Sequence, residues 1–292
     1  MKSKIVNGLK LLFTPVAFAF LIYFAWQSRD ELAELVRNAS LAYLGFAALV
    51  WAALHAVSPL LAVVVFGGCG SKISWQQAFE THAARLPARY LPGGIWHTVG
   101  RVMDYREQGV AGRHLSAFVI LENGLAAVIT LAIGGAIVFS MRGADPLGTI
   151  AGLASLASLA ALPLMIYAIN SRVLQQPEGL SHSALLNSGS IVVVFWLGAT
   201  VAFLLYLKAF GASTGNYSLV EMAGIYLFSW GVGFVSIFAP QGIGIFEVVA
   251  SELMDSPIGL MGFAALIAGF RVVVLIADIS VWLIYLATRR SD

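Results

Sequence analysis

Charged side chains lie inside apolar stretches of this sequence, where a charge is costly. Arg271 and Asp278 stand seven residues apart within Ile258–Thr288. A charge at the centre of a bilayer costs at least about 2.5–3.5 kcal/mol, so such residues face the protein interior or water and commonly mark a site. Seven residues make two helical turns, which places both side chains on one helix face. We predict that Arg271 binds an anionic headgroup and that Asp278 positions it, the alternative being a structural charge pair.

A second embedded acid, Glu122, lies within the apolar stretch Leu115–Met141. It is a candidate partner for Arg271 or for a basic residue within 85–101. A buried carboxylic acid can also be protonated and then relay a proton. Contact with lipid headgroups at the interface is the plainer alternative, and the sequence leaves these interpretations open.

Two Pro-Gly breaks interrupt strongly apolar sequence. They comprise Pro92, Gly93 and Gly94 in the first break, and Pro240, Gly242 and Gly244 in the second. Lipid-facing irregular backbone is excluded from a bilayer, so such breaks need a protein or aqueous environment. Interrupted segments in corresponding positions of two halves indicate a transport site. The two prolines lie about half the chain length apart, which favours repeat halves at about 1–141 and 170–292.

Polar and aromatic residues adjoin both breaks. Arg89 and Arg101 bracket the first, with Trp96 and His97 between them. Guanidinium groups suit phosphate oxygens, and tryptophan suits the headgroup level, so we expect all four residues to contact a lipid headgroup. Ordinary cytoplasmic loop charge is the alternative. Glu247 follows the second break, where it either binds a cation or caps the helix that restarts there.

These residues must be positioned by membrane helices. The chain is 59% hydrophobic and 11% charged, whereas soluble domains carry about 25% charged residues. We predict one all-α, polytopic integral membrane helix bundle over residues 1–292, with about 7–8 transmembrane segments and two Pro-Gly-broken or re-entrant elements. The predicted spans are Leu9–Trp26, Leu41–Phe66, Leu115–Met141, Leu147–Ile169, Leu186–Leu207, Leu219–Ala239 and Ile258–Thr288, with Ile243–Met254 as a short eighth. The distribution of Lys and Arg predicts a cytoplasmic N-terminus.

Several functional classes find no support in the sequence. A net charge of +2 gives no indication of nucleic-acid binding. The single cysteine, Cys69, excludes an internal disulfide and a multi-cysteine metal site. No P-loop and no catalytic motif is present, so we expect neither enzymatic activity nor a cofactor or metal. Membrane lipids are the expected partners, with a homodimer and a separate lipid-modifying enzyme as further candidates.

Three motifs of this sequence, and the order in which they occur, resemble those of one known family. They are Arg89–Arg101 with its Pro-Gly-Gly break, Pro240–Glu247, and Arg271 in the last span. Together they resemble the transmembrane flippase domain of the lysylphosphatidylglycerol synthase family. We expect a stand-alone member without the soluble aminoacyl-transferase domain, and therefore no synthesis of lysylphosphatidylglycerol. Gln241 stands where the family's second motif often has glycine.

The resemblance implies translocation of a phospholipid or lipid-linked headgroup between the leaflets of a bacterial or archaeal cytoplasmic membrane. Arg89, Arg101 and Arg271 would contact the phosphate in a polar cavity at the membrane midplane. Glu122, Glu247 and Asp278 would orient those arginines or bind a cationic headgroup. The alternatives are a membrane enzyme acting on lipid-linked sugars, a non-transporting partner subunit of an envelope-modifying enzyme, and a carrier of a soluble solute.

Overall fold

The architecture is that of a helical membrane bundle. The computed structural model describes residues 22–23, 26–27, 29–91, 95–175, 179–211, 217–236, 242–254 and 259–289. Every regular element within those ranges is helical. The predicted all-α bundle is therefore confirmed.

Five helices are long and apolar enough to cross a bilayer, which requires about 20 residues. In chain order they are α2 (Leu41–Gly68), α5 (Gly112–Arg142), α6 (Pro146–Ala168, extended by a π-helical turn at Ile169–Leu174), α7 (His182–Ala209) and α10 (Gly259–Arg289). Each coincides with one of the predicted spans. Their interior-facing residues form a continuous apolar core that includes Phe66, Phe118 and Phe203.

Shorter helices lie before, between and beside the five long ones. They are α1 (Arg29–Arg37), α3 (Trp75–Ala84), α4 (Trp96–Glu107), α8 (Leu219–Val235) and α9 (Ile245–Leu253), with a 3₁₀ turn at Leu86–Tyr90 between α3 and α4. Helix α8 is apolar but has 17 residues, fewer than the predicted span Leu219–Ala239. Helix α9 has nine residues and is about 14 Å long.

Some predicted features lie outside the described residues. Most of the span Leu9–Trp26 and the break residues Pro92, Gly93, Gly94 and Pro240 belong to this group. The count of 7–8 segments and the re-entrant character of the two breaks therefore stay predictions. Gly242 and Gly244 are described, and both have positive φ angles, of 67° and 83°. This conformation suits glycine because it has no Cβ atom.

Helix α5 packs against α6 and α8, while α2 packs against α7 and α10. Close backbone approach brings α5 and α8 together, since a Cβ atom on Gly134 would overlap the backbone of Phe228. The short helices α3 and α4 and the 3₁₀ turn fill the space beside α2, α5 and α10. This packing places the polar residues on either side of the first break next to the long helices.

Candidate functional site

A single buried carboxylate accepts from four donors on two separate elements. Asp278 on α10 is 1% exposed. Its Oδ1 accepts from Trp51 Nε1 at 3.2 Å and lies 2.8 Å from His55 Nε2, both on α2. Its Oδ2 accepts from Arg89 Nη1 and from the Tyr90 hydroxyl, each at 2.9 Å. The carboxylate thereby joins the 3₁₀ turn to the two long helices.

A row of buried histidines continues from this carboxylate. His55 Nδ1 lies 2.9 Å from His82 Nε2 on α3. The ring centroid of His97 on α4 is 5.3 Å from that of His82, in an edge-on arrangement. His82 Nδ1 and His97 Nε2 are both buried, and neither has a hydrogen-bond partner among the described residues. Helices α2, α3 and α4 thus contribute one histidine each to a buried row, in which a hydrogen bond joins His55 to His82 and an edge-on ring contact joins His82 to His97.

A bidentate ion pair connects α4 to α5. The Nη1 and Nη2 atoms of Arg101 donate to the two carboxylate oxygens of Glu122, at 2.8 and 2.6 Å. The Arg101 side chain is only 4% exposed, and its guanidinium lies 5.5 Å from the ring centroid of Phe118. Two parallel hydrogen bonds and a nearby aromatic face stabilise the buried guanidinium, while its Nε has no hydrogen-bond partner among the described residues.

A third ion pair connects α9 to α10. Arg271 Nε donates to Glu247 Oε1 at 2.6 Å, and Glu247 is fully buried. The second carboxylate oxygen of Glu247 accepts from the backbone N–H of Gly244 at 2.7 Å. Glu247 therefore caps the helix that restarts after the second break and also holds the arginine. The Arg271 guanidinium lies 5.9 Å from the ring centroid of Phe246.

Local sequence signals place the short helices that carry these residues. Helix α3 begins with a capping box in which Ser74 and Gln77 satisfy each other's backbone N–H groups. It ends at Ala84, and Pro87 then favours the tight 3₁₀ turn that carries Arg89 and Tyr90. Helix α4 restarts at Trp96, beyond residues 92–94. The 3₁₀ turn and α4 thus present basic groups to α10 and α5, respectively.

The polar groups of the first break lie within electrostatic range of one another. Burial, together with the nearby His55 ring and the guanidinium groups of Arg101 and Arg89, holds the pKa of His82 well below its ordinary value. Burial and the nearby guanidinium groups of Arg101 and Arg89 lower the pKa of His97 in the same way. Both histidines are therefore neutral at neutral pH, and the carboxylate charges are matched by arginines.

The structure pairs Arg271 and Asp278 with partners other than each other, in contrast to the prediction from the sequence. Asp278 was expected to position Arg271, and this is wrong, since Asp278 holds Arg89 and His55 while Arg271 is held by Glu247. Residues seven apart on a helix are about 10 Å apart along its axis, and neighbouring elements offer nearer partners. For Glu122 the structure selects a basic residue within 85–101, namely Arg101, and not Arg271.

The two remaining sequence candidates occupy different environments. His97 is buried within the histidine row, whereas Trp96 starts α4 with its side chain about half exposed. The role of either residue in binding a headgroup stays a prediction. No group of three His, Cys, Asp or Glu side chains within the described ranges is arranged to hold a metal ion.

Sequence reasoning missed Trp51, His55, His82 and Tyr90 as members of the site. His55 and Trp51 lie one helical turn apart within an uncharged apolar span, so a search for charged residues passes over them. A histidine embedded in a membrane helix is itself an ionisable group at membrane depth, and this signal would have found His55.

A scan against protein-family models finds no match to this chain, and a search of curated proteins finds none either.

Proposed function

We propose that this protein moves a phospholipid or a lipid-linked anionic headgroup between the two leaflets of a membrane. The observation that carries the proposal is a set of three arginines, each paired with a carboxylate from a different helix, inside a bundle of apolar spanning helices. Glu122 lies about 15 Å and Asp278 about 17 Å from the nearer ends of their helices, within the apolar part of each helix. Charges maintained at this depth are expected to serve a function.

The arginines have the chemistry that a phosphate headgroup needs. The side chains of Arg89 and Arg271 are 26% and 29% exposed, although the carboxylates that hold them are buried. A guanidinium matches a phosphate and a carboxylate through the same forked geometry. A lipid phosphate can therefore exchange with a carboxylate oxygen without leaving the arginine unpaired. Such exchange allows an anion to bind and to leave within a low-dielectric region.

The two breaks carry parallel ion pairs of opposite polarity. After the first break, Arg101 on a short helix pairs with Glu122 on the next long helix. After the second, Glu247 on a short helix pairs with Arg271 on the next long helix. This parallel supports two related halves that face one site, with both breaks re-entrant. Rocking of one half against the other would expose the headgroup to each leaflet in turn.

The resemblance to the flippase domain of the lysylphosphatidylglycerol synthase family supports the same function. The motifs that carry it contain Arg89, Arg101, Glu247 and Arg271, which are four of the six residues of the three ion pairs. We place the protein in a bacterial or archaeal cytoplasmic membrane with its N-terminus in the cytoplasm. Transport would run downhill or be driven by an ion gradient.

The test is translocation of fluorescent phosphatidylglycerol in proteoliposomes, followed by chemical quenching of the outer leaflet. We expect wild-type protein to move the lipid and Arg271→Gln to lower the initial rate by about tenfold or more, because loss of a charged hydrogen bond commonly costs about 1.5–3 kcal/mol. Arg142→Gln is the matched control, since Arg142 forms an ion pair with Asp145 at the far end of α5, where both side chains are about one-third exposed. Lipid movement no faster than in protein-free vesicles would contradict the proposal.

A further inference from the structure

The hydrogen-bonded row from Asp278 through His55 to His82 has a fixed direction. A carboxylate oxygen accepts hydrogen bonds only, so His55 Nε2 carries the proton that bridges the 2.8 Å to Asp278. A neutral His55 then presents a bare Nδ1, and His82 Nε2 must donate across the 2.9 Å between them. His82 Nδ1 is therefore a bare, buried lone pair without a hydrogen-bond partner in the described part of the chain.

We propose that His82 and His55 relay a proton to Asp278, and that protonation of Asp278 releases Arg89 to the lipid phosphate. This inference rests on the proposed function and identifies the driving ion as the proton. In this proposal the histidine row transfers protons in addition to holding α2 and α3 together.

The relay moves one proton without other change. A proton binds His82 Nδ1, and the Nε2–H of His82 passes to His55 Nδ1. The Nε2–H of His55 then passes to Asp278 Oδ1, which leaves both rings neutral and the acid uncharged. After this transfer each histidine ring carries its proton on Nδ1 instead of Nε2. Before the next proton can pass, both rings must flip, or the proton must return along the same path. One positive charge has entered, and the carboxylate that held Arg89 at 2.9 Å is neutral.

Neutral Asp278 holds Arg89 more weakly, because the coulombic attraction between opposite charges is lost and only the hydrogen bond from the charged guanidinium to a neutral acid remains. Arg89 is then available to a phosphate, and departure of the phosphate favours return of the proton along the row. Proton entry and headgroup binding therefore favour each other at one residue, which is the requirement for coupling two ligands. His97, whose ring centroid is 5.3 Å from that of His82, lies next along the row.

Charged neighbours surround the row on every packed element. The charged and titratable groups that face it are His55 on α2, His82 on α3, Arg89 and Tyr90 on the 3₁₀ turn, His97 and Arg101 on α4, Glu122 on α5, and Asp278 and Arg271 on α10. The arginines disfavour a resting positive charge on His82 and His97. A proton that enters at His82 is therefore favoured to move on towards the negatively charged Asp278.

The first test measures the relay without any transported lipid. Full-length protein with ¹⁵N-labelled histidine is placed in phosphatidylglycerol vesicles, and ¹⁵N spectra are recorded across a pH series. We expect the His55 and His82 nitrogens to respond as one coupled pair, and His82→Gln to change the His55 signals, because glutamine donates a hydrogen bond but cannot pass a proton. His114→Gln replaces another buried histidine, bonded to Ser71, and is the control. Independent responses of His55 and His82 in wild-type protein would overturn the relay.

The second test measures coupling in proteoliposomes that contain a pH-sensitive dye and fluorescent phosphatidylglycerol. We expect a pH gradient to accelerate lipid movement by wild type and His114→Gln, and His82→Gln to lose about tenfold or more of that acceleration. Lipid movement that ignores the gradient in wild type would overturn the coupling but leave the proposed function standing. If no lipid moves, the proposed function and the coupling both fail. The ¹⁵N histidine spectra of the first test would then still decide whether His82 and His55 form a proton path.

Discussion

Replacing Asp278 with alanine is expected to lower the free energy of unfolding by about 3–5 kcal/mol, the range for breaking a buried ion pair. The carboxylate is 1% exposed and accepts from Trp51, His55, Arg89 and Tyr90. Its loss leaves a guanidinium charge and buried donors without their acceptor. These donors join α2 and the 3₁₀ turn to α10, so we also expect a cooperative transition at lower temperature.

Thermal and denaturant unfolding of purified protein in a single detergent measures this effect. Asp145→Ala is the matched control, because Asp145 also forms an ion pair and caps a helix, but its side chain is 33% exposed at the start of α6. We expect a much smaller loss for the control. Equal losses in the free energy of unfolding for the two variants would show that the contacts of Asp278 do not hold the bundle together.

The second large effect is expected for the Arg101–Glu122 pair. Glu122→Leu should cost about 3–5 kcal/mol in the free energy of unfolding, because it leaves the Arg101 guanidinium charged and unpaired at 4% exposure. Adding Arg101→Met should recover most of that loss, since a buried ion pair can often be replaced by apolar residues of similar volume. The comparison requires both single variants and the double variant.

The same three variants separate a structural role from a functional one. If Arg101 binds the headgroup, the double variant will be stable but will move labelled lipid far more slowly than wild type. A double variant with wild-type stability and wild-type translocation would assign the pair to structure and remove Arg101 from the proposed site. A double variant no more stable than Glu122→Leu would contradict the account of the pair itself.

The long helices were predictable because their signal is local. A run such as Leu41–Gly68 has to cross a bilayer or be buried, whatever its neighbours are. The capping role of Glu247 was predictable for the same reason, since it depends on a glycine three residues earlier in the chain. These features follow from residues that are close in sequence.

The partners of the charged residues were not predictable in this way. Asp278 and Arg271 share a helix face, yet each pairs with a residue from another element. Which elements meet depends on close helix approaches, such as that of Gly134 to the backbone of Phe228. His55 also escaped attention because a histidine adds nothing to a formal charge count, although its position beside Asp278 makes it central.

Lipid retention tests the central claim, that arginines held between the helices bind a lipid phosphate. Mildly purified protein is examined by native mass spectrometry as wild type, as Arg89→Gln combined with Arg271→Gln, and as Arg142→Gln. We predict that a phospholipid or lipid-linked phosphate remains on the wild type and on Arg142→Gln and is lost from the double variant. The same lipid retained equally by all three proteins would contradict the account.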